Sequence, residues 1–351
     1  MLKTLELVGF RNYLKKKVNF VDGVNVIVGD NGIGKTNLLE AIYILASGES
    51  FRAKKTEEMI NFDLLAANLV GKVSLPDEEV ELMVNMIRPE EGVVKMSRKY
   101  LVDGAAKRKR DFVGMLPAVV FLPEDLELLN GASDRRRKQM NMVLEQVFPN
   151  YAKARALYEQ AIRRRNKTLD LIRDGKATRA SMLYWDQTVI KNGEHLTQKR
   201  IEWVDYVNKI WQQSELFNQL KLVYDKSVIS AERLAEYEEK ELIVGYTLIG
   251  PHKDDWQVTD KGRDLAVYGS RGEQRMAVLA MKAAEIYFLR AEKGMEPILL
   301  LDDIFSELDE KHREEVRRAM KGRQVIMTTA LREDLEILPE GNVIELETDG
   351  V

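Results

Sequence analysis

Apolar positions recur along the chain in two periods, and the changes of period mark its parts. Leu2, Leu5 and Leu7 alternate loosely with polar residues, the period of a half-buried strand. A turn over 10–13 and a second strand over 15–20 follow. The run Val24–Val28 is apolar apart from Asn25 and stops at Gly29, which predicts a short buried strand. Leu38, Leu39, Ile42 and Leu45 then fall three and four apart, so 35–46 is predicted helical with one apolar face. Strand-like stretches at 68–75, 79–87 and 93–102 are separated by Pro76-Asp77 and Pro89-Glu90, a pattern that predicts antiparallel neighbours. Residues 118–121 predict another buried strand.

From about 123 to 217 the text becomes rich in Arg, Lys, Glu, Gln, Leu and Ala, with little Gly. One helical pattern covers 151–173 and breaks at Asp174-Gly175. A second covers 179–216, with Leu183, Val189, Ile190, Ile201, Val204 and Val207 on its apolar side. Two long helices joined by a short glycine turn make an αα-hairpin. Strand-like text returns at 242–249, 255–258 and 263–267. A helix over 273–293, a buried strand over 297–301, a helix over 310–321 and strands over 324–328 and 343–347 complete the chain. The expected architecture is α/β, a mixed sheet with an antiparallel patch, split by an inserted helical arm. Its expected divisions are 1–123, a first lobe; 124–240, the arm; and 241–351, a second lobe.

Composition narrows the classes. The chain has 351 residues, more than one hydrophobic core usually organises, and 45% of them are hydrophobic, so disorder throughout is excluded. No apolar run approaches the ~20 residues of a membrane span, and a cytoplasmic protein without a membrane partner is expected. There is no cysteine, which excludes thiolate metal sites and cysteine nucleophiles. The three histidines, His195, His252 and His312, are too scattered for a histidine-rich metal centre. His252 with Lys253, Asp254 and Asp255 reads as a structured loop, and the four tryptophans read as core. The net charge of −3 points away from nucleic acid, but it is a cancellation. Residues 131–170 hold ten Lys/Arg against four Asp/Glu, and 331–351 hold one Arg against seven acids. Basic clusters stand at 15–17, 107–110, 135–138 and 163–165, and with no base-reading motif they predict contact with DNA phosphates independent of sequence.

Three motifs carry chemistry. Gly29, Asp30, Asn31, Gly32, Ile33, Gly34, Lys35 and Thr36 match the phosphate-loop pattern G-x-x-x-x-G-K-[ST], with a buried strand before and an amphipathic helix after. The glycines let backbone N–H groups turn inward onto phosphate oxygens, at a helix N-terminus whose dipole favours anions. Lys35 would set its ammonium on the β/γ-phosphates, and the Thr36 hydroxyl would ligate Mg²⁺. Asp302 and Asp303 end the apolar strand Ile298–Leu301 at the edge where α/β proteins bind ligands. Asp302 would hold Mg²⁺ and Asp303 would orient the attacking water. Ser270, Gly272 and Gln274 open a helix, with Ser270 suited to cap it.

In this order the three motifs resemble the ABC-type ATPase heads, in which a signature S-x-G-x-Q follows a distant Walker A and shortly precedes Walker B. The stretch Ser306, Glu307, Leu308 and Asp309 resembles the D-loop after Walker B. The long gap from Lys35 to Asp302, filled by a helical insert, resembles the SMC-like members. Leu5, Phe10, Arg11, Asn12 and Tyr13, then Ser50, Phe51 and Arg52, then Gly250 through Asp255, and Leu299 through Asp309 resemble the RecF family over nearly the whole chain. That resemblance implies a cytoplasmic mediator of recombination and repair. It implies ATP and Mg²⁺ as cofactors, an ATP-dependent homodimer, and Ser270, Gly272 and Gln274 acting across it on the partner's nucleotide. It also implies binding of gapped, single- and double-stranded DNA and partnership with RecR and RecO in loading the recombinase. By analogy with SMC-type heads Arg11 lies beside the nucleotide. The alternative is an ATP-gated structural dimer acting mainly on protein partners.

The chain departs from the ABC pattern in three places. Thr328 or Thr329 stands where a histidine is usual, Glu124 follows strand 118–121 where a glutamine is expected, and Walker B ends Asp-Asp rather than Asp-Glu. Each departure leads to the expectation of slow hydrolysis, with ATP as a switch.

Overall fold

A computed structural model describes residues 1–88, 97–330 and 340–347. The chain forms two compact units, one built from Met1–Leu126 with Met281–Val351, the other from Glu127–Ala280.

The first unit holds two sheets. Strands β1 (Leu2–Phe10), β2 (Tyr13–Asn19), β4 (Ala66–Ser74), β5 (Glu79–Ile87), β6 (Ser97–Val102) and β7 (Ala105–Lys107) form an antiparallel sheet in the order β2-β1-β4-β5-β6-β7. On β4 and β5 buried residues alternate with half-exposed ones, as a sheet covered on one face requires. Strands β3 (Val24–Val28), β8 (Ala118–Phe121), β12 (Ile298–Asp302), β13 (Val325–Thr329) and β14 (Asn342–Glu345) form a parallel sheet in the order β14-β3-β13-β12-β8. β8, β12 and β13 are buried along their whole length, which explains the apolar runs Ala118–Phe121, Ile298–Leu301 and Val325–Met327 within them. Helix α1 (Lys35–Ser47) packs on β4 and β5 of one sheet and on β8, β12 and β13 of the other. It is therefore buried on nearly every side, its charged Glu40 included. A short turn α2 (Lys109–Phe112) and, after β12, helix α9 (Glu310–Met320) also belong to this unit.

The second unit is built on a helical hairpin. Helices α4 (Pro149–Arg173) and α5 (Leu183–Gln212) pack along each other, flanked by α3 (Ser133–Val147) and α6 (Ala231–Val244). The hairpin is as the periodicity predicts, but the unit is not purely helical. Strands β9 (Leu220–Asp225), β10 (Asp255–Asp260) and β11 (Arg263–Asp264) form an antiparallel sheet in the order β11-β10-β9. Because β10 pairs with β9 along its whole length, residues 241–280 group with the insert, whereas the sequence reading ended the arm at 240. The short α7 (Leu265–Tyr268) and the start of α8 (Arg271–Lys293) belong here too, so the signature residues lie in this unit.

Two sequence expectations change. The apolar text at 242–249 is not a strand: Ser230 caps α6 through a bond from the Arg233 N–H, and the helix runs to Val244 before Gly245 stops it at φ 79°. Its Ile243 is 76% exposed, so that apolar run never enters a sheet. Residues 263–267 split between the two-residue β11 and α7, which Asp264 caps. The expected turn at Pro89-Glu90 and the start of the strand expected at 93–102 lie outside the described residues.

Candidate nucleotide site and signature loop

In the first unit β3, β12 and β13 run parallel, so their C-terminal ends meet at one edge of the sheet. The phosphate loop leaves β3 there and enters α1. Gly32 and Gly34 have φ of 85° and 118°, which side chains resist. At Gly34 space forbids a side chain as well, since a Cβ would come within 2.6 Å of the Tyr13 hydroxyl and 2.7 Å of Asn12 Nδ2. Lys35 folds back onto its own loop and donates to the carbonyls of Gly29 at 2.6 Å and Asp30 at 3.0 Å. Burial pulls its ammonium below the usual lysine range, and the carboxylates of Asp303, Asp302 and Asp30 oppose that.

The motifs at 36 and 302, far apart in sequence, are in direct contact. The Thr36 hydroxyl lies 2.9 Å from both carboxylate oxygens of Asp302. The Thr328 hydroxyl donates to Asp302 Oδ1 at 2.8 Å and accepts from the Asp303 N–H at 3.0 Å. Thr328, one of the two threonines where a histidine is usual, thus holds the Walker B pair rather than facing outward. Asp303 has φ of 49°, a left-handed conformation rare outside glycine, which its Thr328 bond helps to hold. Two neighbouring oxygen ligands of an octahedral Mg²⁺ with ~2.1 Å bonds stand about 3 Å apart, so Thr36 and Asp302 fit such an ion. Among the described residues no group of three or more His, Cys, Asp or Glu could hold a metal alone. A divalent ion here would take its other ligands from phosphate and water.

Arg11, expected beside the nucleotide, is held by residues of the first unit. It sits in the β1–β2 turn with φ of 52°, and its guanidinium makes a two-pronged bond to Glu40, at 2.9 and 2.7 Å. A third bond reaches the Glu58 carbonyl at 2.5 Å. Glu40 is wholly buried and also accepts from the Ser50 hydroxyl at 2.5 Å. The turn reaches the phosphate loop through Asn12 instead, whose amide donates to the Ile33 carbonyl at 2.8 Å and accepts from Asn37 at 2.8 Å. Beside it a hollow of about 240 Å³ opens between Asn12, Tyr13, Gly32, Ile33 and Leu346. Asn12 stands in the family-like run 10–13 and Thr328 is one of the two threonines at the usual histidine place, but their contacts are not legible in sequence. Glu40 belongs to no motif, and its one signal is a lone carboxylate between the apolar pairs Leu38-Leu39 and Ala41-Ile42. After β8, Glu124 is exposed on a 3₁₀ turn. After β12, Asp309 caps α9 by accepting from the N–H of His312 at 3.0 Å.

The signature residues form their own arrangement in the second unit. Ser270 and Glu273 make a capping box: Glu273 Oε2 accepts from both the N–H and the hydroxyl of Ser270, each at 2.7 Å. Gln274 turns inward and donates to the Leu265 carbonyl at 2.8 Å, while its oxygen accepts from Asn130 at 2.8 Å. Gln274 therefore fixes the loop 265–270, and a Cβ at Gly272 would meet open space. His252, in the same unit, bonds the Tyr158 hydroxyl at 2.7 Å and faces the Thr247 carbonyl at 3.1 Å. Burial pushes its pKa down to about 4, so the ring is neutral and structural.

A helical insertion that divides one parallel sheet, with a phosphate loop on one half and Walker B on the other, places the chain among the ABC-type ATPase heads of the SMC kind. The profile of the RecF/RecN/SMC N terminal domain family matches residues 1–343. The chain is 32% identical to the DNA replication and repair protein RecF of Oceanobacillus iheyensis, across 100% of this chain and 99% of that one. A solved structure of the recombination mediator protein RecF with ATP matches at a TM-score of 0.88 and 28% identity, covering 99% of this chain and 95% of that one. An Smc head bound to the C-winged helix domain of ScpA shares the fold alone, at 0.51 and 16%, covering 98% and 93%. The chain belongs to the RecF family.

Proposed function

We propose that the chain is an ATP-dependent, DNA-binding mediator of recombination and repair. In this reading it binds ATP and closes on it as a homodimer. It engages gapped, single- and double-stranded DNA without sequence preference, and works with RecR and RecO to load the recombinase. The observation that carries the reading is the contact of Thr36, Asp302 and Thr328, which joins Walker A to Walker B in one polar cluster. The family relationship supports the proposed DNA and protein partners.

On nucleotide binding Lys35 exchanges two backbone carbonyls for the β/γ-phosphates, and the N–H groups of the loop turn onto phosphate oxygens. Thr36 and Asp302 would hold Mg²⁺, which neutralises charge on the transferring phosphoryl group. Asp303 orients the attacking water. Its carboxylate is one methylene shorter than the usual glutamate, and Thr328 is committed to holding the Walker B pair. Turnover is therefore expected far below the ~10 s⁻¹ typical of enzymes, weakly raised by DNA, with ATP selecting a state rather than driving work. Ser270, Gly272 and Gln274 act on the partner's nucleotide, Ser270 with the two donors that Glu273 now occupies and Gln274 by shaping the loop.

Fluorescence anisotropy of a labelled gapped duplex, with and without ATP and Mg²⁺, tests this reading. Tighter binding with ATP, equal among unrelated sequences of the same structure, is expected. No affinity for gapped DNA in either state contradicts it and favours an ATP-gated dimer that acts on protein partners.

A further inference from the structure

The four basic clusters of the sequence have different fates in the structure. Lys17 pairs with Glu6, Lys109 with Glu49, and Arg110 with Asp111. Arg136 is consumed by Asp255, at 2.6 and 2.8 Å, and Arg137 donates to the Asp254 carbonyl at 2.7 Å. The triplet at 163–165 divides. Arg165 is buried and pairs with Asp186 and Glu241, while Arg163 and Arg164 are exposed on α4. Lys153 and Lys167 are exposed on the same helix.

These four cations share one face. At 100° per residue Lys153, Arg163, Arg164 and Lys167 fall within roughly 100° of arc, opposite Tyr151, Tyr158, Ala161, Arg165 and Leu169, which are buried. From Lys153 to Lys167 the stripe is about 21 Å long, at ~1.5 Å per residue. None of the four has an ion pair among the described residues. The two acids that border the stripe are already neutralised, Glu159 by Arg155 and Asp170 by Arg173. A helix whose acids are paired locally and whose exposed cations are not presents a linear positive field. Two of those cations are arginines, whose planar forks suit phosphate oxygens.

We infer that this face of α4 binds the sugar-phosphate backbone of DNA, an inference that rests on the proposed function and names its contact surface. The partner is a polyanion with charges along a line, which matches a straight stripe better than a compact anion would.

The test replaces Arg163, Arg164 and Lys167 together by glutamine and measures gapped-duplex binding against salt in the full-length protein with ATP. A charge-matched control carries Lys54→Gln, Lys261→Gln and Lys311→Gln. Each lost phosphate contact removes about 0.9 from the slope of log affinity against log salt, so the α4 variant is expected to be shallower by roughly 2 to 3. The control keeps the wild-type slope, and ATP-driven dimerisation is unchanged in both. A wild-type slope in the α4 variant overturns the inference, as does an equal loss in the control. So does loss of a protein partner with DNA binding intact. If the wild type itself binds no DNA, the proposed function fails first, an outcome separate from these.

Discussion

Lys35→Ala is expected to abolish nucleotide binding at micromolar ATP while leaving the fold intact. In the free protein the ammonium satisfies only two carbonyls of its own loop, and burial already works against its charge. With nucleotide bound it would make charge-assisted bonds to two phosphates, each worth ~1.5–3 kcal/mol. Their loss corresponds to a fall in affinity on the order of 10²- to 10⁴-fold, at 1.4 kcal/mol for each tenfold. Thermal unfolding with and without ATP reads this directly, because a ligand that binds only the folded state raises the melting temperature. The variant should melt near the wild type without nucleotide and show no rise with it. A rise equal to the wild type's would place the nucleotide elsewhere.

Asp254→Ala is expected to remove ~3–5 kcal/mol from the stability of the second unit, the cost of leaving a buried charge without its partner. Asp254 is wholly buried and accepts from Arg200 Nη1 at 2.6 Å, from the Ser227 N–H at 2.7 Å and from the Tyr224 hydroxyl. Arg200 is 3% exposed, and its attraction to Tyr151 and Asp254 outweighs burial and raises its pKa. The variant would strand a guanidinium between α3, α4 and α5, with the Tyr151 hydroxyl, the Pro251 carbonyl and Asn141 Oδ1 as its remaining support, none of them charged. All four tryptophans, at 185, 203, 211 and 256, belong to this unit, so their emission during urea unfolding reports it and not the first unit. A shift below ~1 kcal/mol would mean that the pair is dispensable. Asp254→Asn, which keeps the shape and loses the charge, should fall between.

What could be read from the sequence is what the backbone decides locally. The phosphate loop depends on glycines at fixed offsets between a strand and a helix, and Walker B on an apolar strand ending in acids. Ser270 suits a helix cap by its residue type alone. Such features need no knowledge of distant residues. The contacts that complete the site are of another kind. Thr328 meets Asp302 because β13 is paired beside β12, and nothing within residues 324–330 announces that. Arg11 carries a motif shared with its family, yet its partner is Glu40 inside α1, a charge tolerated there only because Arg11 and Ser50 satisfy it. The grouping of residues beyond 240 with the insert is of the same kind. Whether 255–260 belongs to the head or the insert is settled by its pairing with β9, a strand that sequence reading passed over. The misread run at 242–249 shows the converse, an apolar stretch left on the surface at a helix end.

The same contrast bears on the signature. Its glutamine fixes a loop, and its serine is bonded by Glu273, whose carboxylate sits on the two donors that a partner's phosphate would need. If Ser270 acts across a dimer, Glu273 must yield to the phosphate, and its charge opposes closure. Sedimentation velocity with ATP and Mg²⁺ of the wild type, Ser270→Arg and Glu273→Gln tests this central claim most directly. The wild type should dimerise, Ser270→Arg should remain monomeric while still binding ATP, and Glu273→Gln should dimerise at lower protein concentration than the wild type. Dimerisation of Ser270→Arg at the wild-type concentration would contradict the account.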